Sequence, residues 1–570
     1  MTDILEISDA FRSFSFRGGS RLDVDPIELS DDQYLFLQNG RVRYGNISPV
    51  MAPKDISIGL PVGKRQGIRI VGDFIFVFID GKCFFRDLTS SETTFFAISG
   101  FQMSTVANRI YTLLLPGSTV NFKRESDEQQ NASSLIKLTD PIVPSPVVIL
   151  CQDGVSRPIL IFDVNNIDTA SDITDWNKDN NREYVPIGLD MVYVNGKTFM
   201  LSPSRKEIYQ SVSGRPLDFV VAVDNNGDKL SDLPSNGIEA SRLSHAVDYE
   251  ELTGLDLVPI NTSIQSVIGQ DPQDFFLVYT RDKSYVVVLD YLDLIFGEPK
   301  FRTRFLFSTA PLNQFSGADL LGDHGFIDTS GLKSFNSISS FGEEGVNSEF
   351  SKQFSKYFGN NIVQDITAAE AHDNYAFFAI KTIYGYRIVV FDNLSKRFIS
   401  LDDWGLSSPI FQFAVAKINN VRRLFFITDD SKVYEAFAGA QVLQRIFFTK
   451  EFIGQDGTIG IKPTLIKVYT QNCKQAGDIK VTEYVDRLKG SSKIESINKN
   501  IFNEFSEPPY GSADEDSVVS VDYGLIDSRS GIKCNVKLDF TLDVEIFMIE
   551  IYYNAVISKL SLEQQQKSYS

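Results

Sequence analysis

The sequence predicts an all-β protein: a β-propeller of about six or seven blades with an N-terminal arm, a lateral insertion and a C-terminal β-sandwich domain. Three observations predict it. Short apolar runs of roughly four to nine residues, closed by Gly, Asn or Asp, recur along most of the chain, the length and punctuation of strands. Helical periodicity is scarce. Phe dominates the aromatics, with 45 residues against 2 Trp, and it fits a pleated surface where burial of each ring contributes roughly 1.5–3 kcal/mol.

Residues 1–67 are rich in turn chemistry (SFRGG, LDVDP, QNG, YGNISP) and read as an extended arm lying over something else. Within it, Ser30 to Leu37 has one helical signature: Ser30 as N-cap and Gln33 three residues on as the other half of a capping box.

Residues 68–447 carry the recurring unit. Its first copy is IRIVGDFIFVFIDGKCFFRDL, with turns at Gly72–Asp73 and Asp80–Gly81. Asp-Gly between apolar runs is a strong hairpin signal because both turn residues must accept positive φ. Looser copies turn at Asn195–Gly196, at Arg281–Asp282–Lys283, near Tyr384–Gly385 and at Asp429–Asp430. The last two lie about 45 residues apart, a blade period. Ser104–Leu115 and Asp323–Phe335 supply further blades. FIFVF and RLFFI are continuous apolar runs, as expected where neighbouring sheets cover both faces; a row of immunoglobulin-like sandwiches would alternate strictly instead.

Two polar stretches interrupt the pattern. Pro116–Pro146 reads as a surface loop, and about 213–261 as a lateral insertion between blades, where partners bind. From residue 448 to 560 the strands lengthen and alternate better, which predicts the separate β-sandwich. Residues 561–570 form a frayed tail.

The chemistry-bearing residues do not assemble into a recognised catalytic motif. His245, His324 and His372 have no metal-ligand spacing and read as structurally satisfied. Gly59-Leu-Pro-Val-Gly63-Lys64 is one residue short of a phosphate loop, has Arg65 where a Mg²⁺-ligating hydroxyl is needed, and reads as a turn. Asp175-Trp176-Asn177-Lys178-Asp179 and Asp224-Asn225-Asn226-Gly227-Asp228 have the opening oxygen spacing of a calcium loop, but Asn180 and Pro186 occupy its sixth and twelfth positions in the first; both read as turns, with calcium the minority reading. There is no G-x-S-x-G elbow and no aspartate-box repeat. The expectation is no enzyme: no catalytic, cofactor-binding or metal residues, and no cofactor.

Cys83, Cys151, Cys473 and Cys534 are far apart and read as buried thiols of a protein made in a reducing cytoplasm. No signal peptide is evident at the acidic start, and no apolar run approaches the ~18 residues of a membrane span. Net charge is −19. That suits a conduit through which DNA slides, and equally a large β protein kept soluble by its charge. Lys64–Arg65, Arg302, Arg304 and Arg422–Arg423 are scattered, so sequence-specific DNA reading is not expected.

Four segments together resemble the propeller-bearing tail nozzle, or tail stabilisation (tail tubular), proteins of short-tailed bacteriophages. GGSRLDVDPIELSDDQYLFLQNGRVRYGNISPV resembles the family's opening arm with its Asn-Gly-Arg turn. IYQSVSGRPLDFVVA carries an S-x-x-G-x-P-x-x-F phrase at Ser211, Gly214, Pro216 and Phe219. LLGDHGFIDTSGLKSFNS resembles a blade phrase at Asp328, Gly331, Leu332, Ser334 and Phe335. IFFTKEFIGQDGTIGIKPTLIKVYTQNCKQAGDIKVTEYVD is similar to the step from propeller to terminal domain. The resemblance covers under half the chain and brings no active-site residues. It implies a virion protein, synthesised in the host cytoplasm, forming a homomeric ring of six copies. That ring would contact portal, adaptor and other tail or fibre proteins and pass double-stranded DNA. The alternative is a carbohydrate-binding or glycoside-cleaving propeller on a surface appendage, motivated by the acidic residues and by Trp176 and Trp404.

Overall fold

The computed structural model describes residues 8–21, 25–98, 100–116, 147–161, 185–334 with interruptions, 363–454, 460–497, 519–525 and 528–556. Among them there is no α-helix; a single 3-10 turn, Gln314–Ser316, stands among strands. The protein is all-β, its described sheets antiparallel except where Gly19–Ser20 runs parallel to Gln33–Tyr34.

Among the described residues, seven small sheets of three or four strands follow one another along the chain, besides one two-stranded hairpin. The first holds Arg65–Val71, Phe74–Ile79, Lys82–Asp87 and Phe96–Ala97, and the second Tyr111–Pro116, Val147–Gln152 and Ile159–Ile161. The third is Met191–Val194, Lys197–Leu201, Glu207–Gln210 and Ile238–Glu239; the fourth is Leu252–Asp256, Phe275–Thr280, Ser284–Asp290 and Lys300–Phe307. The fifth is Gly317–Asp319, His324–Asp328 and Gly331–Ser334; the sixth is Val363–His372, Tyr375–Thr382, Gly385–Asp392 and Arg397–Asp402. The seventh joins Ile410–Ile418, Val421–Thr428 and Val433–Glu435 to Lys54–Asp55 from the other end of the chain.

Apolar cores lie between these sheets rather than within one layer. Phe76 and Phe78 of the first pack with Leu113 and Ile149 of the second and Met200 of the third. Phe199 meets Phe276 of the fourth sheet at 4.6 Å. Phe378 of the sixth packs with Ile327 of the fifth, and Ile68 and Val77 of the first with Ala416 and Phe425 of the seventh. Both faces of the central strands are thereby covered, which is why Phe74–Ile79 and Leu424–Ile427 are apolar without alternation.

The turn chemistry works as read. Asp80 and Gly81 have φ of 50° and 72° and join Ile79 to Lys82, the two positive angles of a type I′ turn. A Cβ on Gly81 would stand 2.2 Å from the Met103 carbonyl oxygen. Gly81→Ala is therefore expected to cost about 2 kcal/mol or more, seen as a lowered urea midpoint. Val194 pairs with Lys197 around Gly196, Tyr279 with Ser284, Thr382 with Gly385, and Ile427 with Val433.

Two larger sheets combine both ends of the chain. The six-stranded sheet contains Ser8–Phe14, Gly40–Arg43 and Asn46–Pro49 beside Gly460–Gln471, Val519–Gly524 and Glu545–Val556. The seven-stranded sheet contains Gly19–Ser20 and Gln33–Gln38 with Arg445–Thr449, Phe452–Ile453, Gly477–Val485, Leu488–Ile497 and Lys533–Phe540. One core takes Ile466, Val468 and Ile549 from the six-stranded sheet and Val481, Val536 and Leu538 from the seven-stranded one. It is continuous with Phe377 and Phe426 of the sixth and seventh small sheets.

The expected helix at Ser30 to Leu37 is corrected to the strand Gln33–Gln38. The capping-box bond does form, with the Ser30 amide donating to Gln33 Oε1 at 3.1 Å, but the Gln33 amide returns to the Ser30 carbonyl at 3.0 Å and closes a tight turn. Tyr34 and Leu37 are then drawn into the core opposite Thr449 and Phe447, and tertiary pairing overrides the local signal. The polar stretch at about 213–261 also differs from a plain excursion. It contains the hairpin Val221–Val223/Lys229–Pro234, the last strand of the third sheet and the first of the fourth. The loop read over Pro116–Pro146 falls, beyond its first residue, outside the described residues.

Candidate functional site at the leading strands

The first strands of the small sheets bring polar side chains from distant parts of the chain together. Arg109, two residues before the second sheet, lies between the rings of Phe315 and Phe411, its guanidinium carbon 4.0 Å from each centroid. Its Nη1 donates to Gln412 Oε1 at 3.0 Å. Arg65 covers Phe411 at 4.2 Å and pairs with Asp429 at 2.7 Å. Burial pulls the Arg109 pKa down to about 10, so it remains charged at neutral pH, held by π faces and an amide.

Buried amides and a carboxylate then staple one sheet to the next. Gln412 Nε2 donates to the Ile68 carbonyl at 2.9 Å, joining the seventh sheet to the first. Gln66 accepts from the Gly81 amide and donates to the carbonyls of Ser104 (2.7 Å) and Ala107 (2.9 Å). Gln152 of the second sheet donates to Pro186 O and accepts from the Gly188 amide, each at 3.0 Å. Asp190 accepts from the amides of Met191 (2.9 Å) and Leu255 (3.0 Å), linking third and fourth.

A second locus is Glu370 of the sixth sheet. Burial lifts its pKa to about 7, the Ala371 amide and the charges of Arg422 and Arg69 drawing it back, and Asp319 adding to the rise. The Arg69 Nε is buried without a hydrogen-bond partner. Chemically this is a carboxyl able to carry a proton at neutral pH, near a desolvated cation and a second carboxylate.

The two described histidines, His324 and His372, are held in contacts within the fold. The Tyr279 hydroxyl lies 3.3 Å from His324 Nε2 across the fourth and fifth sheets, and burial lowers the His324 pKa to about 4. His372 Nε2 lies 3.1 Å from the Arg422 carbonyl oxygen. Trp404 is corrected as a sugar contact: it is 4% exposed, packed on Phe377, Phe426 and Phe437, and donates to Asp402 at 3.2 Å. Lys64 Nζ donates to the Val106 carbonyl (2.6 Å) and to Asn108 Oδ1 (3.0 Å). All four cysteines are buried, and no disulfide joins them. His245, Trp176, Asp175–Asp179 and Asp224–Asp228 lie outside the described residues, among which no metal-suited cluster of three or more His, Cys, Asp or Glu occurs. No helix of the described residues is long and apolar enough to cross a membrane.

Glu370 and His324 predict opposed pH slopes. Glu370 titrates near 7 in the fold against 4.5 ordinarily, so its contribution is present below pH 4.5 and lost as pH rises through 7. His324 titrates near 4 against 6.5, so its contribution is present above pH 6.5 and lost as pH falls through 4. Glu370→Gln removes the first slope only. Its stability relative to the unaltered protein is expected to rise between pH 5 and pH 7.5 by on the order of 2 kcal/mol. Urea unfolding at the two pH values measures this; a flat difference would contradict the raised pKa of the partly buried Glu370.

No family model matches the chain, and no curated protein does. Solved structures it is similar to include an exo-β-1,3-galactanase from Phanerochaete chrysosporium with galactose. That match has 8% identity, spans 88% of this chain and 100% of that one, and has a TM-score of 0.22. Another is the S. cerevisiae Dbp5 complex with Nup159 and Gle1, at 9% identity over 74% of this chain and 99% of that one, with a TM-score of 0.27. Likenesses this remote carry no argument about function, which rests on the chain's own residues.

Proposed function

We propose that the seven small sheets are blades of a closed β-propeller, that the two larger sheets form a terminal β-sandwich, and that the whole is a structural subunit of a short-tailed bacteriophage tail. In this reading six copies form a ring that stabilises the portal–tail junction and lines the path of the leaving genome. The observation that carries it is the interlocking of the chain ends: Lys54–Asp55 completes the seventh sheet, and residues 8–49 complete both larger sheets. Polar groups at the leading strands are spent on stapling sheet to sheet, which supports a rigid building part. The net charge of −19 repels duplex DNA, as a conduit requires. Electron microscopy of the purified protein and of its particle tests this. The expected result is a ring of six copies on the particle axis; a monomer absent from particles overturns it.

Glu370 favours one second reading, a glycoside-cleaving propeller. A protonated Glu370 would act as general acid and Asp319, whose charge raises it, as the opposing carboxylate. Incubation with polysaccharides would then release reducing sugar, and Glu370→Gln would reduce release by at least about a hundredfold. No release from the unaltered protein removes this reading.

A further inference from the structure

We propose that the outer face of the six-stranded sheet is a binding platform for a neutral polysaccharide. It is a site on the terminal sheets, separate from the leading-strand groups above, and goes beyond the assembly role.

One rung of that sheet crosses four strands as Asp522, Lys467, Glu550 and Arg12. Glu550, near its centre, accepts from Arg12 Nε at 2.8 Å, from the Tyr469 hydroxyl at 2.7 Å and from the Tyr552 hydroxyl at 2.9 Å. Tyr469 and Tyr552 leave the backbone two residues to either side of this rung, roughly 7 Å along the strands. A tyrosine whose hydroxyl reaches a carboxylate one rung away lies along the sheet instead of standing up from it. Glu550, 3% exposed, lies beneath these two half-buried rings, and Lys467 Nζ stands 5.5 Å from the Tyr552 ring centroid as a charged neighbour at its face. Phe547 lies 5.9 Å from the Tyr469 ring, and Phe14, paired with Met548, adds a half-exposed ring on the same face.

Hydrogen-bonding groups border these rings. Glu545 Oε2 accepts from Gln471 Nε2 at 2.8 Å, and Lys467 sits 3.7 Å from Asp522. A sugar ring has an apolar C–H face and a rim of hydroxyls: the face matches rings laid flat, and the rim matches amide and carboxylate groups beside them. Charge excludes the other stacking ligand, a single nucleic acid strand, because Glu545, Glu550 and Asp522 outnumber Arg12 and Lys467 here. A protein partner would be held by protruding anchors filling pockets, whereas these rings are pinned in the plane of the sheet.

The test is affinity electrophoresis of the full chain in gels containing dextran, laminarin, mannan, galactan or arabinoxylan. At least one is expected to retard it, with apparent affinity falling about tenfold in Tyr552→Ala and in Phe14→Ser. Phe14 makes no part of the Glu550 network, so Phe14→Ser decides the matter should Tyr552→Ala fail to fold, as thermal unfolding of each variant shows. Three outcomes overturn the proposal: no retardation by any of the five, retardation unchanged in the folded variants, or self-association of the protein that these substitutions abolish while polysaccharide has no effect. The last would make the face an interface between copies.

Discussion

Asp402→Ala is expected to destabilise the protein by about 3–5 kcal/mol, the cost of breaking a buried ion pair from one side. The Asp402 carboxylate is fully buried and takes Arg41 Nη2 at 2.7 Å, the Ser400 hydroxyl at 2.7 Å, the Asn39 amide at 3.0 Å and the Trp404 indole at 3.2 Å. Arg41 is itself enclosed by the rings of Tyr375, Phe377 and Phe437, 5.3–5.7 Å from each centroid. With the carboxylate gone, a guanidinium, an indole N–H and a backbone amide lose their acceptor together. The double variant Arg41→Met/Asp402→Leu removes the stranded charge and is expected to recover most of the loss. Urea unfolding of the three proteins measures this, and limited proteolysis reports whether residues 8–49 come away first. Equal losses in single and double variants would show that the network contributes by shape alone.

The second large effect is expected at Arg445, which is fully buried and reaches from the seven-stranded sheet to the six-stranded one. Its Nη1 donates to the carbonyls of Ile47 (3.3 Å) and Val544 (2.9 Å), and its Nη2 to that of Leu542 (3.0 Å). The ring of Phe540 lies 4.6 Å beneath it, and burial lowers its pKa to about 9, leaving it charged at neutral pH. Arg445→Met fills the volume but orphans three buried carbonyls, each worth about 1–3 kcal/mol, and a total near 3–5 kcal/mol is expected. Arg445→Lys keeps the charge without the planar fork and is expected to regain less than half. Hydrogen exchange should accelerate at Asn46–Pro49 and Glu545–Val556 together, because one side chain holds both; acceleration of only one strand would refute that coupling.

The strands and their turns were legible because they are local. Asp80–Gly81 must adopt positive φ, and continuous Phe runs must be covered on both faces. What the sequence did not reveal is non-local. Asn39-Gly40-Arg41 was read as a turn phrase, yet its importance comes from Asp402, some 360 residues away. Arg445 inside LQRIFF and Arg109 inside ANRIYT belong to no motif and were not singled out. A lone Arg flanked by apolar residues at the edge of a strand was the available signal. Ser30 to Leu37 misled because a capping box is satisfied equally by one tight turn, and only the partner strand at Arg445–Thr449 decides between helix and strand. Trp404 misled because a tryptophan near acids can serve a ligand or a core, and composition does not separate them.

Lys54–Asp55 hydrogen-bonds to Tyr434–Glu435, and Ser8–Phe14 to Met548–Asn554. On a ribosome adding roughly 5–20 residues per second, the earliest strands therefore wait about twenty seconds or longer before their mates emerge. Throughout that interval Phe11, Phe16 and Tyr34, all destined for the interior, stay in water. Truncation before residue 445 strands all three, and truncation before residue 545 still strands Phe11, so premature termination should yield insoluble chains instead of a smaller working protein.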